Sequence, residues 1–275
     1  MPAAAAASSR LPRRLVLVLP ALAGVSLLTP QVTRAADSAP SGRAAIPDVI
    51  VYGDPTLGRA IRNLSALFTA RTKAPVAVFS APPALMLAQL EREAQNDVLL
   101  TLVGAMDQGE REHLIRPGTR IGRWRNSLAI AARTGGTAAG TADPARIAEL
   151  LGGGRFALSD RSDAATIDGP AVIERLGLRD ALSTARVIGA ADTEEVAILV
   201  ATGDARLGLV HLTNIRADPR LAVAAMVPDF AYEPIVYSAA ASTVSRSPNT
   251  QLFLDFLRTP AAQRQLKRDG LGSVT

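Results

Sequence analysis

The 275-residue sequence has no cysteine and only two histidines, His113 and His211. Without cysteine there is no structural disulfide, no thiolate metal site and no cysteine nucleophile. Two histidines exclude a three-histidine metal centre within one chain. The short motifs of enzyme chemistry are missing as well: no G-x-S-x-G elbow, P-loop or G-x-G-x-x-G follows a candidate strand. Nothing in the spacing supports a serine-histidine-carboxylate triad. The N-terminal apolar run, Leu15–Leu28, has 14 residues and is interrupted by Pro20 and Gly24. A spanning helix needs about 20.

What is present describes an exported globular protein. At 48% hydrophobic and 20% charged residues, the chain lies far from the composition of disordered proteins. Its length suffices for one large domain or two small ones. Arg10, Arg13 and Arg14 precede the apolar run, and Thr33-Arg34-Ala35 offers small residues two positions apart. Residues 1–35 therefore read as a signal peptide cleaved near Ala35, which places the mature chain in the periplasm; an uncleaved anchor is the alternative. Residues 36–47 read as a linker. The signal carries four of the 30 basic residues and none of the 25 acidic ones. The mature chain is thus nearly balanced, without Lys/Arg runs, and nucleic acid is set aside as a partner.

From Asp48 onward, short apolar runs alternate with helical patterns. Strands are predicted at Val49–Tyr52, Val76–Phe79, Val98–Leu102, Ser127–Ala131, Phe156–Ser159, Val187–Ile188, Leu207–Val210 and Ile235–Ala239. The best helical pattern sets Leu57, Ile61, Leu64, Leu67 and Phe68 on one face. Further helices are predicted at about Pro82 to Glu93, at Gly169–Leu176 and at Glu194–Ala201. Two more fall around Thr250–Leu257 and at Pro260–Arg268, with Thr259 as N-cap and Gly270 past the end. The alternation argues an α/β fold with parallel sheets. The Gly/Ala/Thr-rich stretch Thr134–Thr141 divides the chain, and the last helices look suited to pack on its first half.

Chemistry in such folds sits where strands run into helices, because helix N-termini present free N–H groups and partial positive charge. Four junctions are rich in capping residues: Gly53–Thr56, Ser80–Pro83, Ser159–Thr166 and Asp192–Glu195, the last with capping-box spacing. Each alone reads as a helix cap; two in each half make a two-sided cleft the better reading. His113, in the polar stretch Gln108–Arg116, reads as a solvated helix residue. His211 follows an apolar strand at its carboxyl end, where a ligand contact and a structural hydrogen bond are both open. Gly152-Gly153-Gly154 precedes a strand and reads as a helix C-cap and turn.

Seven segments, in order, resemble the periplasmic molybdate/tungstate-binding proteins of ABC importers. They are DVIVYGDPTLGRAI (48–61), APPALMLAQLEREAQNDVLL (81–100), RNSLAI (125–130), LLGGGRFALSD (150–160), LVATGDARLGLVHLTN (199–214), EPIVYSAA (233–240) and FLDFLRTPAAQRQL (253–266). The resemblance implies a two-lobed periplasmic binding protein of type II, α/β, with two mixed, mostly parallel sheets flanked by helices. Lobe I would comprise 48–126 plus 238–275 and lobe II 127–237. Ser127–Ala131 would cross outward and Ile235–Ala239 would return. It also implies a monomer without cofactor or protein-coordinated metal, which hands a small oxyanion, molybdate or tungstate, to an ABC permease.

In that family, hydroxyls and backbone N–H groups hold the oxyanion without a counter-charge. By position these contacts fall on Thr56, on Ala165 or Thr166, and on Thr193 through its backbone N–H. The family's second serine falls on Pro82 or Pro83, which offer neither hydroxyl nor N–H, so Ser80 is the candidate substitute as an N-cap hydroxyl. The family's tyrosine falls on His211, whose protonation would make binding pH-dependent. Asp54 is a further departure: a carboxylate 4 Å from a unit negative charge costs about 4 kcal/mol at an effective dielectric of 20. Either it turns away to cap the helix at Pro55, the preferred reading, or the ligand carries a proton or amine to meet it. Two alternatives follow: the same fold with another small anion or polar organic ligand, or an exported enzyme or sensor on this fold.

Overall fold

A computed structural model describes residues 48–136, 143–159 and 167–274, and Ala44–Thr275 form one compact unit. In chain order the first elements are β1 (Val49–Gly53), α1 (Gly58–Thr72), β2 (Val76–Ser80), α2 (Pro83–Glu91), β3 (Val98–Leu102), α3 (Val103–Arg111) and β4 (Ile121–Asn126). There follow β5 (Leu128–Arg133), α4 (Pro144–Leu151), β6 (Arg155–Ser159), α5 (Gly169–Arg175), α6 (Arg179–Ser183), β7 (Arg186–Ala190), α7 (Thr193–Thr202), β8 (Leu207–His211), α8 (Leu212–Ala217) and β9 (Leu221–Met226). The chain ends with β10 (Ile235–Ala241), α9 (Thr250–Arg258), α10 (Pro260–Arg268) and β11 (Gly272–Ser273). Two single 3-10 turns, Pro55–Leu57 and Asp229–Ala231, complete the set.

The strands form two sheets, β11-β4-β10-β3-β1-β2 and β7-β6-β8-β5-β9, and each with its helices makes one lobe. β1, β3 and β6 are runs of buried apolar residues, as strands covered on both faces must be. Pairing is less uniformly parallel than the strand–helix alternation predicts. In the first sheet β3, β1 and β2 pair parallel while β10, β4 and β11 add antiparallel. In the second, β7, β6 and β8 are parallel and β5 and β9 antiparallel. Apart from β11, which follows α10, the antiparallel strands are those beside the crossings.

β5, the strand expected to lead outward, pairs only within the second sheet, and β10, expected to return, only within the first. The crossings themselves therefore fall at Ser127 and across residues 227–234. They are tied to each other. The Leu128 N–H donates to the Tyr232 hydroxyl at 3.3 Å, Tyr232 donates to Asp229 at 3.2 Å, and Arg125 pairs with Asp229 at 2.7 Å.

In the first lobe α1 buries Ile61, Leu64 and Phe68. The rings of Phe253 and Phe256 from α9 meet Phe68 edge-on at 5.0 and 5.5 Å, so the C-terminal helices pack on the first half of the chain. Leu67 departs from its predicted face and is 37% exposed, because the helix turns it past the edge of that core. The prediction for α10 holds in detail: Thr259 caps it by accepting from the Ala262 N–H, Pro260 is its first residue, and Gly270 follows at φ +99°. His113 is exposed but lies past the end of α3 with φ +57°, a turn residue where a helical one was expected. Gly152 caps α4 and Gly153 turns with φ +76° before β6. Most of the dividing stretch at Thr134–Thr141 lies outside the described residues.

Candidate functional site

The first junction closes on itself. Asp54 caps the turn Pro55–Leu57, its Oδ1 accepting from the Thr56 N–H at 3.0 Å and from the Thr56 hydroxyl at 2.6 Å. This is the capping role preferred above. The Thr56 hydroxyl also meets the hydroxyl of Tyr237, on β10, at 2.7 Å. Since Thr56 gives its proton to Asp54, Tyr237 is the donor in that second bond. Asn126, at the end of β4, bonds to the Tyr237 hydroxyl and donates to the Thr213 hydroxyl of α8 at 2.9 Å. A buried polar chain thus runs from Asp54 in the first lobe to α8 in the second.

Asp54 is 1% exposed, and its Oδ2 has no hydrogen-bond partner among the described residues. Burial raises its pKa above the usual carboxylate value, against a smaller lowering by Thr56. Burial also raises Tyr237, with the nearby Asp54 carboxylate adding to it, so the phenol keeps its proton.

His211 ends β8 and is 3% exposed. Its backbone N–H donates to the Asn214 side chain at 3.2 Å, which fixes the first turn of α8. Its Nδ1 lies 2.9 Å from the hydroxyl of Thr193, the first residue of α7. With Thr193 donating, the ring proton lies on Nε2. Burial lowers the imidazole pKa to about 4, partly opposed by the Asn214 side chain. Without ligand the ring is therefore neutral from pH 5.5 to 8. Asp192 caps α7, accepting from the Glu195 N–H at 2.8 Å, while the Glu195 carboxylate turns back to the Ala191 N–H at 2.6 Å.

Ser80 ends β2 and does not cap α2, as it was expected to. The capping position is Pro82, without a side-chain bond, and Pro83 is the first helical residue. Two consecutive prolines fix the entry to the helix and leave Ser80 outside it. Ala165 and Thr166 lie outside the described residues.

Two cavities flank the polar chain. The larger, about 950 Å³, is lined from the first lobe by Pro83, Leu102 and Arg123 and from the second by Asp168, Arg175 and His211. Tyr237 stands in its wall. The smaller, about 350 Å³, is lined by Thr56, Arg59 and Ser80 on one side and Glu194, Asn214 and Arg216 on the other. The structure therefore brings Thr56 and Ser80 to one cavity and His211 to the other. Thr193 is joined to His211, and Tyr237 bridges the two groups. Tyr237 and Asn126 were missed from sequence: Tyr237 lies inside an apolar strand pattern and reads as core. No group of three His, Asp or Glu able to hold a metal occurs among the described residues.

A two-lobed fold with its cleft lined from both lobes defines a ligand-capturing protein. Residues 49–272 match the family model of the bacterial extracellular solute-binding proteins, and the chain belongs to that family. The molybdate-binding protein ModA of Escherichia coli K12 is 24% identical over 226 residues, 81% of this chain and 88% of that protein. An aconitate isomerase of a Pseudomonas species is 23% identical over 221 residues, 78% of this chain and 83% of that protein. Among solved structures, the periplasmic molybdate-binding protein of Azotobacter vinelandii superposes with a TM-score of 0.67 at 20% identity. That match covers 82% of this chain and 100% of that one.

Proposed function

We propose that this protein is exported to the periplasm, after removal of a signal peptide near Ala35, and there captures a small anion for an ABC permease. The ligand class is a tetrahedral oxyanion, molybdate or tungstate, bound in the cleft between the lobes. The observation that carries the reading is His211: a neutral, buried imidazole at a strand's carboxyl end, held by Thr193 and Asn214, that offers a fixed uncharged donor to the cleft. Fixed neutral donors in a water-poor site compensate an anion without a counter-ion. The first N–H of α7, at Thr193, supplies a further donor, and the Thr56 hydroxyl, which lines the neighbouring cavity beyond Tyr237, joins the ligand as the lobes close. Thr56 does so by exchanging Asp54 for the ligand. Capture proceeds by closure of the lobes, driven by contacts present only in the closed state.

A second reading keeps the fold and function and changes the ligand to a carboxylate-bearing organic anion. It is favoured by the size of the 950 Å³ cavity, where Arg123 and His211 stand with Arg175, itself 3.7 Å from Glu233, and with Asp107 and Asp168, and by the Pro82-Pro83 entry to α2. A thermal-shift panel of molybdate, tungstate, sulfate, phosphate and small di- and tricarboxylates separates the two. A ligand at 1,000 times its dissociation constant stabilises by about 4 kcal/mol, a shift of roughly 8–16 °C at this size. A shift of that order with molybdate and tungstate alone supports the first reading; a carboxylate shift with silent oxyanions replaces it by the second. Silence from the whole panel defeats both.

A further inference from the structure

Helix α8 belongs to the second lobe by its place after β8, yet the first lobe touches it at both ends. At its start, Gly270 approaches so closely that a Cβ there would stand 3.2 Å from the Leu212 carbonyl carbon and from the Thr213 nitrogen. The Asn126 amide donates to the Thr213 hydroxyl at 2.9 Å. At its far end the guanidinium of Arg59, on α1, donates to the Ala217 carbonyl. That carbonyl is among those a helix leaves unpaired, where its dipole is negative. The adjacent Asp218 carboxyl is held below its usual pKa first by the Arg220 side chain, with a smaller share from Arg59. Arg59 also lines the smaller cavity, which opens between α1 and the pair α7 and α8.

We infer that α8 is the catch that holds the two lobes together and that Arg59 is its positioning residue, setting how long a ligand stays bound without touching it. The inference rests on the reading that the lobes close over a ligand. Its logic is mechanical. His211, one of the second-lobe residues lining the larger cavity, is the residue from which α8 starts, so parting the lobes moves α8 and the imidazole together. Parting them also breaks the Arg59–Ala217 bond and separates Gly270 from Leu212. A contact made only in the closed arrangement shifts the population toward it by its own free energy and raises the barrier to release. The bond is exposed to water, so its effect is a modest factor and not an all-or-none lock.

The test compares the full chain with Arg59→Ala, Arg59→Lys and, as a control, Arg71→Ala, an exposed arginine in the last turn of α1. Two readouts are taken: hydrogen exchange of the Leu212–Ala217 amides without ligand, and the dissociation rate of molybdate as probe. Arg59→Ala is expected to speed exchange across α8 and release of molybdate by about fivefold. Arg59→Lys should restore part of both, and Arg71→Ala should match the parent. Gly270→Ala, a wedge at the other end of α8, should speed the same exchange. Unchanged α8 exchange in both Arg59→Ala and Gly270→Ala overturns the inference. If the parent binds no molybdate, the ligand reading fails by itself, and the exchange experiment still decides whether Arg59 and Gly270 hold α8.

Discussion

The hydroxyl oxygens of Thr56 and Tyr237 lie 2.7 Å apart across 181 positions of sequence, and neither is free. Thr56 gives its proton to Asp54 and accepts from Tyr237, which in turn is bonded by Asn126. The pair fastens the junction after β1 to the strand that returns from the second lobe. A ligand that recruits the Thr56 hydroxyl must therefore displace a bond already made, which links occupancy of the cleft to the polar chain reaching α8.

Tyr237→Phe tests that fastening. The substitution keeps the ring, 1% exposed, and removes one oxygen, leaving Asn126 and Thr56 each short of a partner. The expected loss is about 1–3 kcal/mol, the cost of buried polar groups left unsatisfied, read as a lower urea midpoint with an unchanged slope. A midpoint equal to the parent's would show that water replaces the phenol without cost.

His211 makes stability depend on pH with a definite sign. Its folded pKa of about 4 lies below the ordinary imidazole value of 6.5. Between those values the unfolded chain binds a proton that the folded chain does not, so stability falls as pH drops from about 6.5 to 4. The contribution is on the order of 3 kcal/mol. In His211→Gln that slope should be shallower in a melting series from pH 7 to 4.5.

Asp54 acts in the opposite sense. Burial raises its pKa, so the folded state holds the proton more tightly than the unfolded state, and the associated stability is lost as pH rises through the folded value. Above it, an ionised carboxylate sits buried with Oδ2 unpartnered. Asp54→Asn keeps an oxygen to accept from Thr56 and removes the charge. Its melting temperature should gain on the parent's as pH is raised above the ordinary carboxylate value of 3.8. A difference that stays constant over this range would mean that Asp54 does not titrate there.

Phe253 anchors the C-terminal helices. Its side chain is fully buried and meets Phe68 edge-on. Phe253→Ala should cost about 3–5 kcal/mol in global unfolding. A much smaller loss would mean that α9 is not part of the first lobe's cooperative core.

The strands legible in the sequence were those covered on both faces. VIVYG, VLLTL and LGLVH read as mostly apolar runs because both faces are covered, with Thr101 and His211 as the buried polar exceptions. β4 was missed for the converse reason. In IGRWRN only Ile121, Trp124 and Asn126 are buried, and Gly122 has φ +68° beside the indole of Trp124, so the strand looks like a polar loop. β9, LAVAAM, is mostly alanine and valine, a composition that fits either a helix or a strand.

The site was legible to the same degree and for the same reason. Helix caps are local chemistry, so Asp54 before Pro55, Asp192 before Thr193 and Thr259 before Pro260 could be read from neighbouring residues. Tyr237 could not, because its role depends on partners 111 and 181 positions away, as the differences 237 − 126 and 237 − 56 show.

The sequence by itself determined the alternation of elements, the caps, the buried strands and the family resemblance, all of which depend on residues within a few turns of one another. Only the tertiary structure decided which hydroxyls are already spent, that His211 stays neutral, and that Arg59 reaches across to Ala217. Burial and hydrogen bonding between distant segments set those properties. They exist only once two sheets, joined at Ser127 and through residues 227–234, have brought the segments together.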